Sequence, residues 1–284
     1  MKIRIAAVNW KLRRIRGDSE FFGHFYDLVE QAHGAGANII VVPELMVLEL
    51  LHLEPKLKEP DVPKYLIQYG NAIEEWIERI SNNSGLVLVG GSHFKETSEG
   101  IVNACAVGHP SLGIVLGAKN NLTQYEKEMW DLVPGSSLVQ IPDRRLGVTI
   151  CYDSEFPESG RALAEGGVTI QCVPAFTESL YGFNRVRWCC HARTIENQCY
   201  LAHSSLVGDL GREPVPTTFG SSAILCPPLK QFPASGILAT TELNEEGIAI
   251  AELDMDLLEE ARATGDVRNW HDRHLSQWPI SDSI

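Results

Sequence analysis

Apolar and polar positions follow two periods along this chain. Lys2–Val8 (KIRIAAV) alternates as a strand does, and the segment after it places Phe21, Phe22, Phe25, Leu28, Val29 and Ala32 on one helical face. Gly34 and Gly36 end that helix, and Asn38–Val42 is a short, nearly continuous apolar strand. Leu66, Tyr69, Ile73, Trp76, Ile77 and Ile80 mark a second amphipathic helix, with a strand at Leu86–Gly90 beyond it. Val102–Val107 and Ile114–Ala118 read as a hairpin, separated by the turn residues Gly108, Pro110 and Gly113. The second half predicts strands at Gly147–Cys151, Val168–Val173, Cys199–Ser205, Ser222–Leu225 and Ile248–Leu253, with helices over Phe156–Glu165 and Asn184–Asn197. A sheet needs both faces covered, and two mixed sheets packed together with helices outside satisfy this count. Periodicity alone does not fix the number of layers.

Composition narrows the function classes. The 284 residues carry a formal charge of −13, from 37 acidic and 24 basic side chains. Such a surface repels nucleic-acid and anionic-membrane partners, while solubility alone explains it without a cationic substrate. No stretch approaches the roughly 18 apolar residues of a membrane span, and the N-terminus reads as a strand, not a secretory leader. Seven cysteines suit a reducing compartment, so a cytoplasmic location is expected. Without a linker or repeat, residues 1–284 are expected to form a single domain. Glycosylation-type triplets at Asn82 and Asn121 have no further support.

Three polar residues follow predicted strands: Glu44 after NIIVVP, Lys119 after GIVLGA and Cys151 after LGVTI. Scaffold positions of this kind hold reactive groups rigidly yet reachably. Taken singly, each has an ordinary reading as a solvated carboxylate, a surface amine and a buried small hydrophobe. Cys189, Cys190, His191, Cys199 and His203 raise a zinc alternative, but they lack a CxxC framework and His191 lies in a helical segment. No metal or organic cofactor is expected.

The words around the three residues are NIIVVPEL, AKNNLTQYEKEMWDLVPG and LGVTICYDSEFPE, followed by VPAF, WCCHARTIENQCY and AELDMDLLEEAR. In this order they resemble the signature blocks of the nitrilase, or carbon–nitrogen hydrolase, superfamily. The cues EKEMWDLVPG, CYDSEFPE and VRNWHDRH look nearest to hydrolase domains that stand beside an acetyltransferase domain in some bacterial proteins, for which this sequence leaves no room. The resemblance implies an α/β fold, a four-layer αββα sandwich of two mixed sheets. It also implies a Cys151 nucleophile, a Glu44 general base and a Lys119 oxyanion partner assisted by the backbone N–H of Tyr152. Glu126, in a polar loop, takes the place of a second glutamate that orients substrate and supports the cysteine site. Phe176 and Thr177 are candidates for the acyl pocket, and specificity is expected from loops such as Met46–Pro63 and Thr177–Arg187. The implied reaction is hydrolysis of a small amide or carbamoyl compound through a thioester. Nitrile hydrolysis, acyl transfer and a catalytically silent binding scaffold are the alternatives. A homodimer or higher homo-oligomer is expected, paired across the helices near Phe156–Glu165 and Asn184–Asn197.

Overall fold

The structure, a computed structural model, describes residues 1–274. Its first leaf is built from β1 (Lys2–Lys11), β2 (Ile39–Val41), β3 (Val87–Val89), β4 (His93–Glu96), β5 (Ile101–His109) and β6 (Gly113–Ala118). The second contains β7 (Val139–Ile141), β8 (Leu146–Val148), β9 (Ile170–Phe176), β10 (Tyr200–Val207), β11 (Ala223–Leu225) and β12 (Ile237–Thr240). Strand β13 (Gly247–Asp254) returns to the first leaf, antiparallel to β1 along its whole length. The leaves are joined through β1, whose Trp10 and Lys11 pair in parallel with Leu206 and Val207 of β10. Parallel pairs β1–β2, β2–β3, β8–β9 and β9–β10 coexist with antiparallel edges, so each leaf is mixed.

Alternation along β1 separates the layers. Ile5 and Ala7 face a core shared with Cys172 and Ala202 of the second leaf. Ala6, Val8 and Trp10 face outward, toward helices α1 (Asp18–Gly34) and α3 (Gly70–Ser84), the latter preceded by the short α2 (Val62–Leu66). A strand alternates its side chains, so one segment can serve two cores only with a layer on each face. Opposite, α5 (Pro157–Glu165) packs on the second leaf, where a Cβ on Gly147 would lie 2.8 Å from Leu163. Helix α6 (Leu180–Asn197) buries Val186 and Cys190 in the apolar cluster that includes the second leaf. The expected αββα sandwich is the observed fold. No described helix is long and apolar enough to cross a membrane.

Boundaries moved where local chemistry outweighs periodicity. Strand β8 stops at Val148, two residues before the turn Cys151–Glu155, and the chain continues without regular structure to Cys151. Helix α6 begins at Leu180, four residues earlier than expected, because Ser179 Oγ caps it by accepting Gly182 N–H at 3.3 Å. The polar loop at Glu126 is a short helix, α4 (Gln124–Glu128), closed by a Thr123–Glu126 capping box. Helices α7 (Met255–Thr264) and α8 (Asn269–Asp272) complete the described chain. Much of Met46–Pro63 is not a recognition loop: Met46–Leu53 is a 3₁₀ turn with Met46, Val47, Leu48, Leu50 and Leu51 fully buried.

Candidate functional site

Residues from both leaves meet at one cavity of about 470 Å³. Glu44 arrives from the turn after β2, Lys119 immediately follows β6, and Cys151 opens the 3₁₀ turn Cys151–Glu155 after β8. The Glu44 turn is fixed by Leu45 in the left-handed region (φ 52°) and by Leu45 N–H donating to Ser92 Oγ at 3.1 Å. Behind it, a Cβ on Gly91 (φ +66°) would approach the Pro43 carbonyl oxygen to 2.0 Å, so the position requires glycine. Cys151 is itself left-handed (φ 44°), a rare conformation for a non-glycine residue that concentrates at functional sites. Surrounding bonds hold it: Asp153 N–H donates to the Ile150 carbonyl at 2.9 Å, and Ser154 Oγ to the Cys151 carbonyl at 2.6 Å.

Glu44, Lys119 and Glu126 are only 2 %, 2 % and 3 % exposed. Lys119 Nζ donates to Glu44 Oε1 at 2.8 Å and to Glu126 Oε1 at 2.9 Å, with Glu126 Oε2 also 2.9 Å away. Asn103, on β5 and fully buried, donates from Nδ2 to Glu44 Oε1 and to Glu126 Oε1, each at 3.0 Å. Glu44 Oε2 accepts the Phe176 N–H at 2.9 Å, tying the first leaf to β9 of the second. Glu126 Oε2 accepts Thr123 N–H at 2.8 Å and Thr123 Oγ1–H at 3.0 Å. The Cys151 thiol stands 3.5 Å from the carbonyl oxygen of Phe176, whose N–H holds Glu44 Oε2.

Two carboxylates around one ammonium leave a net negative charge out of water, and the three groups respond differently. Burial pushes Glu44 above the ordinary glutamate range, and the Glu126 charge adds to it against the pull of Lys119. Glu126 experiences the same burial, but Lys119, the Thr123 backbone and Asn103 hold it below that range. Lys119 is desolvated too, yet its two carboxylates keep it firmly protonated. Burial and the Glu44 charge raise the Cys151 thiol well above its usual value, overcoming the opposing effect of Lys119. The site therefore pairs a protonated thiol with an adjacent base, an arrangement suited to proton transfer during attack and not to a standing thiolate.

Asp153 joins the Lys119 loop to the cysteine turn. Its carboxylate accepts Asn121 N–H at 2.7 Å, Asn121 Nδ2–H at 3.0 Å and Asn120 N–H at 3.3 Å, while the Asp153 backbone closes the turn at Ile150. Tyr152 lines the cavity with its ring against Phe156, centroids 5.0 Å apart. Phe176 lines it as well and anchors both Glu44 and Cys151 through its backbone. Thr177 also lies on the wall, but its hydroxyl donates to the Phe219 carbonyl at 2.7 Å and so is turned to the loop. The Thr177–Arg187 segment contributes Glu178, Ser179, Gly182 and Arg185 to the same wall. Asn103 and Asp153 were not singled out from sequence. A lone asparagine in the apolar run VNACAV was the available signal, since a buried amide needs partners. Among the described residues no three His, Cys, Asp or Glu side chains converge as a metal site, and His203 instead accepts Arg187 Nε–H at 3.1 Å.

Known proteins share this arrangement of the chain. A probable hydrolase of Bacillus subtilis is 29% identical over 286 residues, covering 98% of this chain; the chain spans only 55% of that protein's length. The omega-amidase NIT2 of Danio rerio is 25% identical, with 92% of this chain and 91% of that protein covered. The crystal structure of Nit3 from Saccharomyces cerevisiae, a member of branch 10 of the nitrilase superfamily, superposes with a TM-score of 0.74 at 21% identity, covering 92% of this chain and 93% of that one. A carbon–nitrogen hydrolase from Helicobacter pylori G27 gives 0.75 at 22% identity, with 92% of each chain covered. The carbon–nitrogen hydrolase profile matches residues 4–263, nearly the whole chain, and with that match this protein belongs to the carbon–nitrogen hydrolase family.

Proposed function

We propose that this protein hydrolyses a small amide or carbamoyl compound to an acid and ammonia or an amine, with Cys151, Glu44 and Lys119 as its catalytic residues. The observation that carries the reading is the convergence of a thiol, a carboxyl and an ammonium on one cavity, with Lys119 Nζ 2.8 Å from Glu44. Sulfur attacks the carbonyl carbon as the thiol proton passes to Glu44. The Lys119 ammonium, with the Tyr152 backbone N–H, meets the charge that develops on oxygen. Glu44 returns its proton to the departing nitrogen, leaving a thioester on Cys151. Glu44 then takes a proton from water as the water oxygen attacks the thioester carbonyl, and returns it to sulfur as the C–S bond breaks, which releases the acid and restores the thiol. General acid–base assistance of this type contributes roughly 10²–10⁴-fold. The amidase activity of the Danio rerio relative supports an amide over a nitrile as substrate. A panel of small amides, carbamoyl compounds and nitriles, scored for ammonia and for the acid formed, tests the reading. Turnover confined to nitriles would replace it.

The same reading includes a homodimer or larger homo-oligomer in the cytoplasm. Tyr181, Trp188 and Ile195 recur every seventh position on α6 and are 82%, 66% and 41% exposed, while Cys190 of the same helix is fully buried. Residues seven apart lie on one helical face, so the three form an apolar stripe. Light scattering at micromolar concentration should give at least twice the 31.4 kDa chain mass. Trp188→Glu should lower that mass, and a wild-type monomer would remove the proposal.

A further inference from the structure

We infer that Asn103 is a positioning residue that leaves Oε2 as the oxygen of Glu44 able to take the Cys151 proton. The inference rests on the proposed roles of Glu44 and Cys151. A carboxylate oxygen offers two lone pairs. On Glu44 Oε1 both are engaged, by Lys119 Nζ at 2.8 Å and Asn103 Nδ2 at 3.0 Å. On Oε2 one is engaged, by the Phe176 N–H at 2.9 Å. The remaining lone pair of Oε2 is the free acceptor on this carboxyl, and Phe176 places it on the side of the thiol, since its own carbonyl contacts Cys151 Sγ at 3.5 Å.

The same accounting removes Glu126 from proton traffic. Its Oε1 accepts from Lys119 and Asn103, and its Oε2 accepts from the Thr123 backbone and hydroxyl. Both oxygens are filled, so protonating Glu126 would displace a buried donor and leave it unpaired. Glu126 is thus a fixed negative charge, and Asn103 keeps the two carboxylates apart in role by giving each one N–H. The amide is suited to this because its nitrogen donates twice and cannot accept a proton from either neighbour. Its Oδ1 is buried without a partner, so the side chain is oriented by the two carboxylates it serves.

The test follows alkylation of Cys151 by iodoacetamide against pH, read on the Cys151 peptide by mass spectrometry, which requires no substrate. Wild-type alkylation should fall toward acid as Glu44 gains its proton. Asn103→Leu keeps the volume and removes both donors, so both carboxylates lose stabilisation of their charged forms. The acid limb should move upward by about one pH unit, and on that limb the rate should drop about tenfold. Asn103→Asp, nearly isosteric and still polar, should shift the limb in the same direction and serves if the leucine variant does not fold. A limb that coincides with wild type in a folded variant overturns the role of Asn103. Glu44→Gln, run in parallel, separates this from the parent reading. A profile that survives Glu44→Gln unchanged refutes Glu44 as the base, whereas a profile altered there but not at Asn103 refutes only the positioning role.

Discussion

Mixed with an activated ester of its acyl group, the Glu44→Gln protein should carry an acyl adduct on the peptide containing Cys151. The amide itself is a poor trap for this variant, because in the proposed mechanism Glu44 serves acylation as well as deacylation and both steps would fail together. An activated ester needs little acid assistance at its leaving group, so sulfur can still be acylated, and the thioester then waits for water that no base activates. Cys151→Ala should show no adduct and should lose on the order of 10⁴-fold or more in turnover, since the nucleophile has no substitute. The other six cysteines stand as controls: all are unpaired, and apart from the half-buried Cys189 they are buried. An adduct confined to one of them would move the nucleophile, and a fully active Cys151→Ala protein would end the mechanism.

Lys119→Ala should lower kcat by about 10²–10³-fold, the usual effect of removing one oxyanion donor, with a smaller change in KM. The ammonium meets charge that develops on the way to the tetrahedral intermediate, so ground-state binding should depend on it less. A second effect accompanies the first. Lys119 neutralises Glu44 and Glu126, both nearly inaccessible to solvent, and breaking such a buried pair costs about 3–5 kcal/mol. Melting temperature must therefore be followed beside kcat, with assays kept well below the variant's transition. A folded variant with near-normal kcat and a raised KM would reassign Lys119 to substrate binding.

The meeting of Glu44, Lys119 and Cys151 at one cavity was legible from the ordered blocks around them, each of which ends an apolar run where core gives way abruptly to turn. The four-layer arrangement was not legible from periodicity, since Lys2–Val8 alternates in the same way whether one or two further layers cover it. It came from the family resemblance. Helix α6 was harder to delimit because Arg187 and Arg193 are buried among its apolar positions, so polarity does not mark its exposed face. The edge strands β4 (HFKE) and β12 (ILAT) were missed, being four residues long with mixed or unremarkable polarity. Two signals were present but unused. Thr123 and Glu126 have capping-box spacing, which identifies the helix that fixes the second glutamate, and Asp254 precedes MDLLEEAR as an N-cap.

The two leaves supply different halves of the site. Glu44 and Lys119 hang from β2 and β6 of one, while Cys151 and Phe176 hang from β8 and β9 of the other. The reach from carboxyl to thiol is consequently a dimension of the sandwich itself, set by how the apolar faces of β1–β3 and β8–β10 interlock. A slip of one leaf along the other by a fraction of a side chain would leave every strand intact and still draw the carboxyl off the thiol. Catalytic competence in such a molecule is a gauge of alignment between sheets. Mild heat or denaturant that loosens the inter-leaf core should silence it while the secondary structure still stands.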